Sequence, residues 1–197
     1  MKYSFKNDYS EGAHPRILDA LIKYNLTQQN GYGLDEYSLN AAKFIRDKCA
    51  APNASVHFIS GGTQANLTMI SAFLRPHESV VSALTGHIFT NESGAIEATG
   101  HKIHGVETAD GKLRPQDVLN ILDAHQNFPH QLKQRLVYIS NSTEIGTIYS
   151  KKELQELYEF CQNKNLILFM DGARLGHALT AETNDLTFDE IAKFTDA

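Results

Sequence analysis

A chain of 197 residues is long enough for one domain with a sizeable core and short for two. It is 42% hydrophobic and 21% charged, the composition of a soluble globular protein, and its net charge of −5 offers no broad electrostatic basis for binding nucleic acid or an anionic membrane. No apolar run approaches the ~20 residues of a membrane span, and the start, MKYSFKNDYSEGAHP, lacks the apolar core of a secretory signal.

The chain then alternates between helical and extended patterns. Pro15 suits the first turn of a helix whose apolar face is Ile17, Leu18, Leu21 and Ile22. A turn at Asn30-Gly31-Tyr32-Gly33 separates it from a second helix, about Asp35 to Ala50. Val56 to Ser60 reads as a short strand interrupted by Gly61-Gly62-Thr63, and a helix with Leu67, Ile70 and Leu74 on one face follows. Ser79 to Leu84 and, more weakly, His101 to Thr108 read as strands. Pro115 opens a helix through about Ala124, and Arg135 to Asn141 is a strand. Lys151 to Asn163 is a helix, Leu166 to Met170 the last strand, and Thr187 with Glu190 forms a capping-box pattern before a short helix. The two cysteines, Cys49 and Cys161, fall in separate helical patterns, which suits a reducing cytoplasm better than a disulfide framework.

Such alternation predicts an α/β fold with a mainly parallel sheet, and unalternating runs such as LILFM suit strands covered on both faces. Ligands of these folds bind beyond the carboxyl ends of the strands. Gly61-Gly62-Thr63 allows close backbone approach at a helix start that favours a phosphate, or is a tight turn with Thr63 as the cap. It matches neither the P-loop nor the dinucleotide fingerprint. Asp171, at the tip of the last strand, is costly there unless paired. It either caps or pairs with Arg174, or faces a cationic ligand atom such as a protonated pyridine nitrogen. In the second case Arg174 remains for a carboxylate. His87 follows a strand and points to the same end, or is a surface or capping histidine. His101 and His104 fall on opposite faces of an extended segment, so no metal site is expected from them.

Taken together, four stretches resemble the threonine aldolase and aromatic amino acid β-eliminating lyase family of pyridoxal-phosphate enzymes, which has the aspartate-aminotransferase-like fold. They occur in the family's order: Gly31-Tyr32-Gly33, Ser60-Gly61-Gly62-Thr63-Gln64-Ala65-Asn66, Gly86-His87-Ile88 with Glu92 and Gly94, and Met170-Asp171-Gly172-Ala173-Arg174. The resemblance implies a three-layer sandwich, with residues 1–34 an N-terminal helix and loop and 35–197 the cofactor-binding large domain, truncated before the small C-terminal domain. It implies pyridoxal 5'-phosphate as cofactor, with Gly62 and Thr63 in the phosphate cup and His87 stacked on the ring. Asp171 would hold the pyridine nitrogen and Arg174 the substrate carboxylate. The segment around Tyr32 would reach the site of a partner in a homodimer or homotetramer.

The implied reaction is cleavage of a β-hydroxy amino acid such as threonine to glycine and an aldehyde, in the cytoplasm, with no metal, nucleic acid or membrane. The alternatives are β-elimination or transamination on the same fold, or a non-catalytic truncated homologue. Two departures stand out. The phosphate stretch carries an extra glycine and Gln64, the mark of a divergent branch. The family's Schiff-base lysine is expected beyond Ala197, so the chain is expected to be incomplete and inactive alone.

Overall fold

The structure, a computed structural model, describes Ser4 and residues 6–197. Residues 1–3 and 5, the start of the expected N-terminal segment, lie outside the described residues. The chain divides into two compact units, Met1–Ala41 and Ala42–Ala197.

In the first unit, helix α1 spans Pro15–Tyr24 and opens on proline, whose missing N–H costs nothing at that position. The His14 ring accepts the Arg16 N–H at 3.2 Å. Ile17, Leu18, Leu21 and Ile22 line one face of α1 and are exposed. Tyr32 and Gly33 both take positive φ, 63° and 73°, in the turn before helix α2 (Glu36–Lys48). The Asp35 carboxylate accepts the Ser38 N–H at 2.8 Å where α2 begins. Helix α2 runs across the division between the units.

The second unit continues with α3 (Gly62–Phe73), β1 (Glu78–Ala83), α4 (His87–Thr90), β2 (Ile103–Val106), α5 (Pro115–Ala124) and β3 (Lys133–Ser140). Then come α6 (Lys151–Asn163), β4 (Ile167–Asp171), α7 (Leu175–Leu179) and α8 (Phe188–Lys193). The four strands form one parallel sheet in the order β2-β1-β3-β4. Local chemistry sets the helix starts. Ser150 and Glu153 form a reciprocal capping box at α6, with the Ser150 N–H donating to Glu153 Oε2 at 2.9 Å. Thr187 and Glu190 do the same at α8.

Strand residues divide by parity between two apolar layers. Val81, Val137 and Leu168 point to one face and pack with Val118 of α5 and Leu154 and Leu157 of α6. Val80, Leu136 and Phe169 point to the other and pack with Ile70 and Leu74 at the end of α3. The sheet is thus covered on both faces, which explains the unalternating apolar runs inside β1, β3 and β4. On the outer side of β4, the Asp196 N–H donates to the Leu168 carbonyl at 2.9 Å, and the Met170 N–H donates to the Ala197 carbonyl at 2.9 Å. Among the described residues no helix is long and apolar enough to cross a membrane.

One expectation is corrected. Val56 to Ser60 is irregular chain, not a strand. Its pattern favours extended backbone, but a strand also needs a ladder partner, and Phe58 and Ile59 are exposed with none in the sheet. Gly61-Gly62-Thr63 therefore opens α3 from a loop and does not follow a strand. Two short helices, α4 and α7, were not evident in the sequence.

His101 and His104 serve the fold. The His101 Nδ1 lies 3.2 Å from the Glu78 carbonyl, and the buried His104 lies 3.4 Å from the Gln134 amide nitrogen with the His125 ring 4.4 Å away. Burial, then the charges of His125 and Lys102, draws the His104 pKa from 6.5 down to about 4. The unfolded chain therefore takes up this proton first as pH falls, and stability is lost across the window from 6.5 to about 4. The melting temperature should fall through that window, and His104→Gln should flatten that part of the profile. An unchanged profile in the variant would remove His104 from the acid response.

Candidate active site

The strand order reverses direction between β1 and β3, and a doubly wound sheet opens a crevice there, beyond the carboxyl ends of its strands. His87 lies at this place, four residues after the end of β1. Its backbone N–H donates to Glu144 Oε1 at 2.9 Å, and the Ser140 hydroxyl at the end of β3 donates to the same oxygen at 2.6 Å. The preceding turn has no room for a side chain. A Cβ on Gly86 would fall 2.2 Å from Ser82 Oγ and 3.0 Å from the Ala83 carbonyl oxygen. The fold therefore fixes where α4 begins and leaves the His87 ring partly exposed.

Asp171 ends β4, next to β3. Its Oδ2 accepts the Tyr138 hydroxyl at 2.7 Å and the Asn66 amide at 3.1 Å, and its Oδ1 accepts the Ala173 N–H at 2.9 Å. Burial, and then the adjacent Asp171 charge, holds the Tyr138 phenol far above its ordinary range, so it remains a donor. The same Asn66 amide donates to Glu92 Oε1 at 2.8 Å. Glu92 is buried, and its Oε2 has no partner among the described residues. Burial raises its pKa, and the Asp171 charge adds to the effect against Asn66 and His87. The His87 Nε2 lies 3.9 Å from Glu92 Oε1.

Asp171 is thus linked through Asn66 to Glu92, and the His87 ring lies beside Glu92 without a hydrogen bond to it. Gly62 and Thr63 are the first two residues of α3, with Asn66 one turn further along the same helix. Gly61, with no side chain, occupies the cap, so Thr63 is not the cap residue. The first amide N–H groups of a helix lack intrahelical acceptors, and the helix dipole makes this end attractive to an anion. Arg174 precedes α7, on the turn that leaves Asp171, and is partly buried.

Asn66 and Tyr138 were given no role from the sequence. Tyr138 carried a signal, since a phenol inside the apolar run from Leu136 to Ile139 must find a partner when buried. Asn66 carried a weaker one, a polar residue on the face of a helix otherwise marked by Leu67, Ile70 and Leu74. A carboxylate held by three donors, one of them a residue one turn into a helix that has no side-chain cap, can bind a ligand with a cationic ring atom and an anionic tail.

The family model described as beta-eliminating lyase matches residues 11–197. The low specificity L-threonine aldolase of Pseudomonas aeruginosa is 32% identical over 176 residues, covering 88% of this chain and 50% of that protein. That of Escherichia coli K12 is 25% identical over 84% of this chain and 48% of its own length. Among solved structures, the threonine aldolase of Leishmania major superposes with a TM-score of 0.97 at 50% identity, over 99% of this chain and 57% of that one. A putative L-allo-threonine aldolase from Listeria monocytogenes, at 20% identity and a TM-score of 0.65, shares the fold. The chain spans about half the length of the curated relatives it matches. With that family's model matched over nearly its whole length and threonine aldolases as its relatives in both sequence and structure, this chain belongs to the β-eliminating lyase family.

Proposed function

We propose that the protein is a pyridoxal-phosphate-dependent lyase of the threonine aldolase type, cleaving the Cα–Cβ bond of a β-hydroxy amino acid to release glycine and an aldehyde. The observation that carries the proposal is Asp171, a strand-end carboxylate fixed by Tyr138, Asn66 and the Ala173 N–H. The cofactor, when bound, supplies a protonated pyridine ring that accepts the electrons of the breaking bond. The residues present fit such a group. Asp171 would keep the ring nitrogen protonated through its negative charge. Gly62, Thr63 and the N-terminus of α3 would take the phosphate, and the partly exposed His87 ring would cover the pyridine face. Arg174, with its planar fork, would take the substrate carboxylate. Assembly as a homodimer or homotetramer in the cytoplasm completes the proposal.

The test is an assay of the full-length protein with pyridoxal phosphate and L-threonine, L-allo-threonine and L-serine, following glycine, aldehyde, keto acid and ammonia. Glycine and aldehyde in equal amounts are expected. Keto acid with ammonia would indicate β-elimination, and keto acid without ammonia, in quantity only when a 2-oxo acid is added to accept the amino group, would indicate transamination. Arg174→Ala should raise KM for the amino acid by roughly 10- to 100-fold with the cofactor still bound, the cost of one charge-assisted pair. Loss of cofactor with an unchanged KM would move Arg174 to the phosphate.

The proposal places the Schiff-base lysine outside residues 1–197. Several lysines of the chain already have other partners: Lys112 pairs with Glu153, and Lys151 with Glu190. Lys193 closes the short helix α8. Borohydride reduction of the 197-residue chain with pyridoxal phosphate should label surface lysines sparsely. A single dominant labelled lysine, with turnover on adding amino acid, would locate the Schiff base within this chain.

A further inference from the structure

We infer that Asn66 and Glu92 are positioning residues for Asp171: the Asn66 carboxamide, anchored by Glu92, fixes the orientation of the carboxylate that meets the ring nitrogen of the cofactor. The inference deepens the proposed function and rests on its reading of Asp171.

The Asn66 amide nitrogen has two hydrogens, and both are committed. One donates to Asp171 Oδ2 at 3.1 Å and the other to Glu92 Oε1 at 2.8 Å. The three residues come from α3, from the turn after α4 and from the end of β4, so the amide plane is fixed by separate parts of the fold. Asn66 is 3% exposed and Glu92 5%, and neither side chain has water available to replace a lost partner. Asp171 cannot rotate about its terminal bond without breaking the bonds from Tyr138 and Asn66 on one oxygen and from Ala173 on the other.

Glu92 is the less ordinary member. Its Oε2 is buried and has no partner among the described residues. An ionised carboxylate so placed, with a second carboxylate one amide away, is strongly disfavoured. His87, at 3.9 Å from Oε1, is beyond hydrogen-bond reach. Burial, and then the Asp171 charge, raises the Glu92 pKa against Asn66 and His87, and Oε1 is the oxygen that accepts the Asn66 amide. The Glu92–Asn66 link holds the Asp171 carboxylate in place from a second part of the fold.

The test uses the full-length protein and pyridoxamine phosphate labelled with 15N at the ring nitrogen, a probe that needs no Schiff-base lysine. Two quantities are read at pH 8: the dissociation constant by equilibrium dialysis, and the 15N shift, which reports ring protonation. Asn66→Leu should weaken binding roughly tenfold or more and move the shift toward the unprotonated ring. Glu92→Leu should act in the same direction. Glu92→Gln, which keeps an oxygen acceptor for Asn66 at the same place, should bring both readouts back to within about threefold of wild type. Asn66→Ser covers the case in which the leucine variant does not fold. Folded Asn66 variants with wild-type affinity and shift would overturn the inference, as would a Glu92→Gln variant that behaves like Glu92→Leu. Asp171→Asn separates the two levels. A ring still protonated in that variant, or no binding by the wild type, removes the reading of Asp171 itself. A shift that depends on Asp171 but not on Asn66 removes only the present inference.

Discussion

Asp171→Ala in the full-length protein is expected to lower kcat for amino acid cleavage by ~10²–10³, the range typical of removing one preorganised electrostatic contact from a reacting centre. Three donors hold the carboxylate before any ligand arrives, so little reorganisation accompanies its pairing with a cationic ring atom. Alanine also leaves the Tyr138 hydroxyl and one Asn66 hydrogen without an acceptor in a part-buried place, which costs about 1–3 kcal/mol of stability for each group left unpaired. Activity and folding must therefore be read separately, by kcat at saturating cofactor and by thermal melting. Asp171→Asn preserves the shape and most hydrogen bonds but not the charge, and it should lose nearly as much kcat with a smaller fall in melting temperature. Asp171→Glu keeps the charge at the wrong reach and should retain a little activity. Near-normal kcat in the alanine variant would make Asp171 a structural residue.

Leu168→Ala should destabilise the second unit by about 2–5 kcal/mol, the usual cost of removing a fully buried leucine side chain and leaving a cavity. Leu168 has no exposed surface, and from β4 it packs against Leu154 and Leu157 of α6. Its backbone groups are held independently, the N–H by the Asp196 carboxylate at 2.8 Å and the carbonyl by the Asp196 N–H at 2.9 Å. The substitution thus reports on packing alone. For a chain of this size the melting temperature should drop by roughly 5–15 °C. A drop below about 2 °C would mean that the neighbouring helices close over the gap.

The regular elements of the second unit were legible because each carries its own local signal. Helix α6 has a capping serine, a glutamate three residues on and a clean apolar face, and its bounds match expectation. Strand β4 announces itself as an apolar run between a helix end and an aspartate. The segment from Val56 to Ser60 has equally good strand residues and no ladder, since pairing depends on partners distant in sequence. The same limit applies at the site. Asp171 was conspicuous as a charge beside an apolar run, and its neighbour Arg174 was conspicuous with it. Asn66 lies 105 residues away from Asp171, and no spacing rule connects the two. Only the folded chain places the α3 amide between two carboxyl groups contributed by other elements. Glu144, which fixes the His87 backbone, is hidden for the same reason.

The outer side of β4 has a kinetic consequence. Backbone amides without a protected partner exchange with solvent almost freely. Here the amide of Asp196 donates to Leu168, and the Ala197 carbonyl receives the amide of Met170. The amides of Leu168, Met170 and Asp196 should consequently exchange at one slow rate, set by opening of the sheet core. The strand that carries Asp171 is then flanked on both sides, and a local opening that would let this carboxylate wander has to break backbone bonds to β3 or to residues 196–197 first.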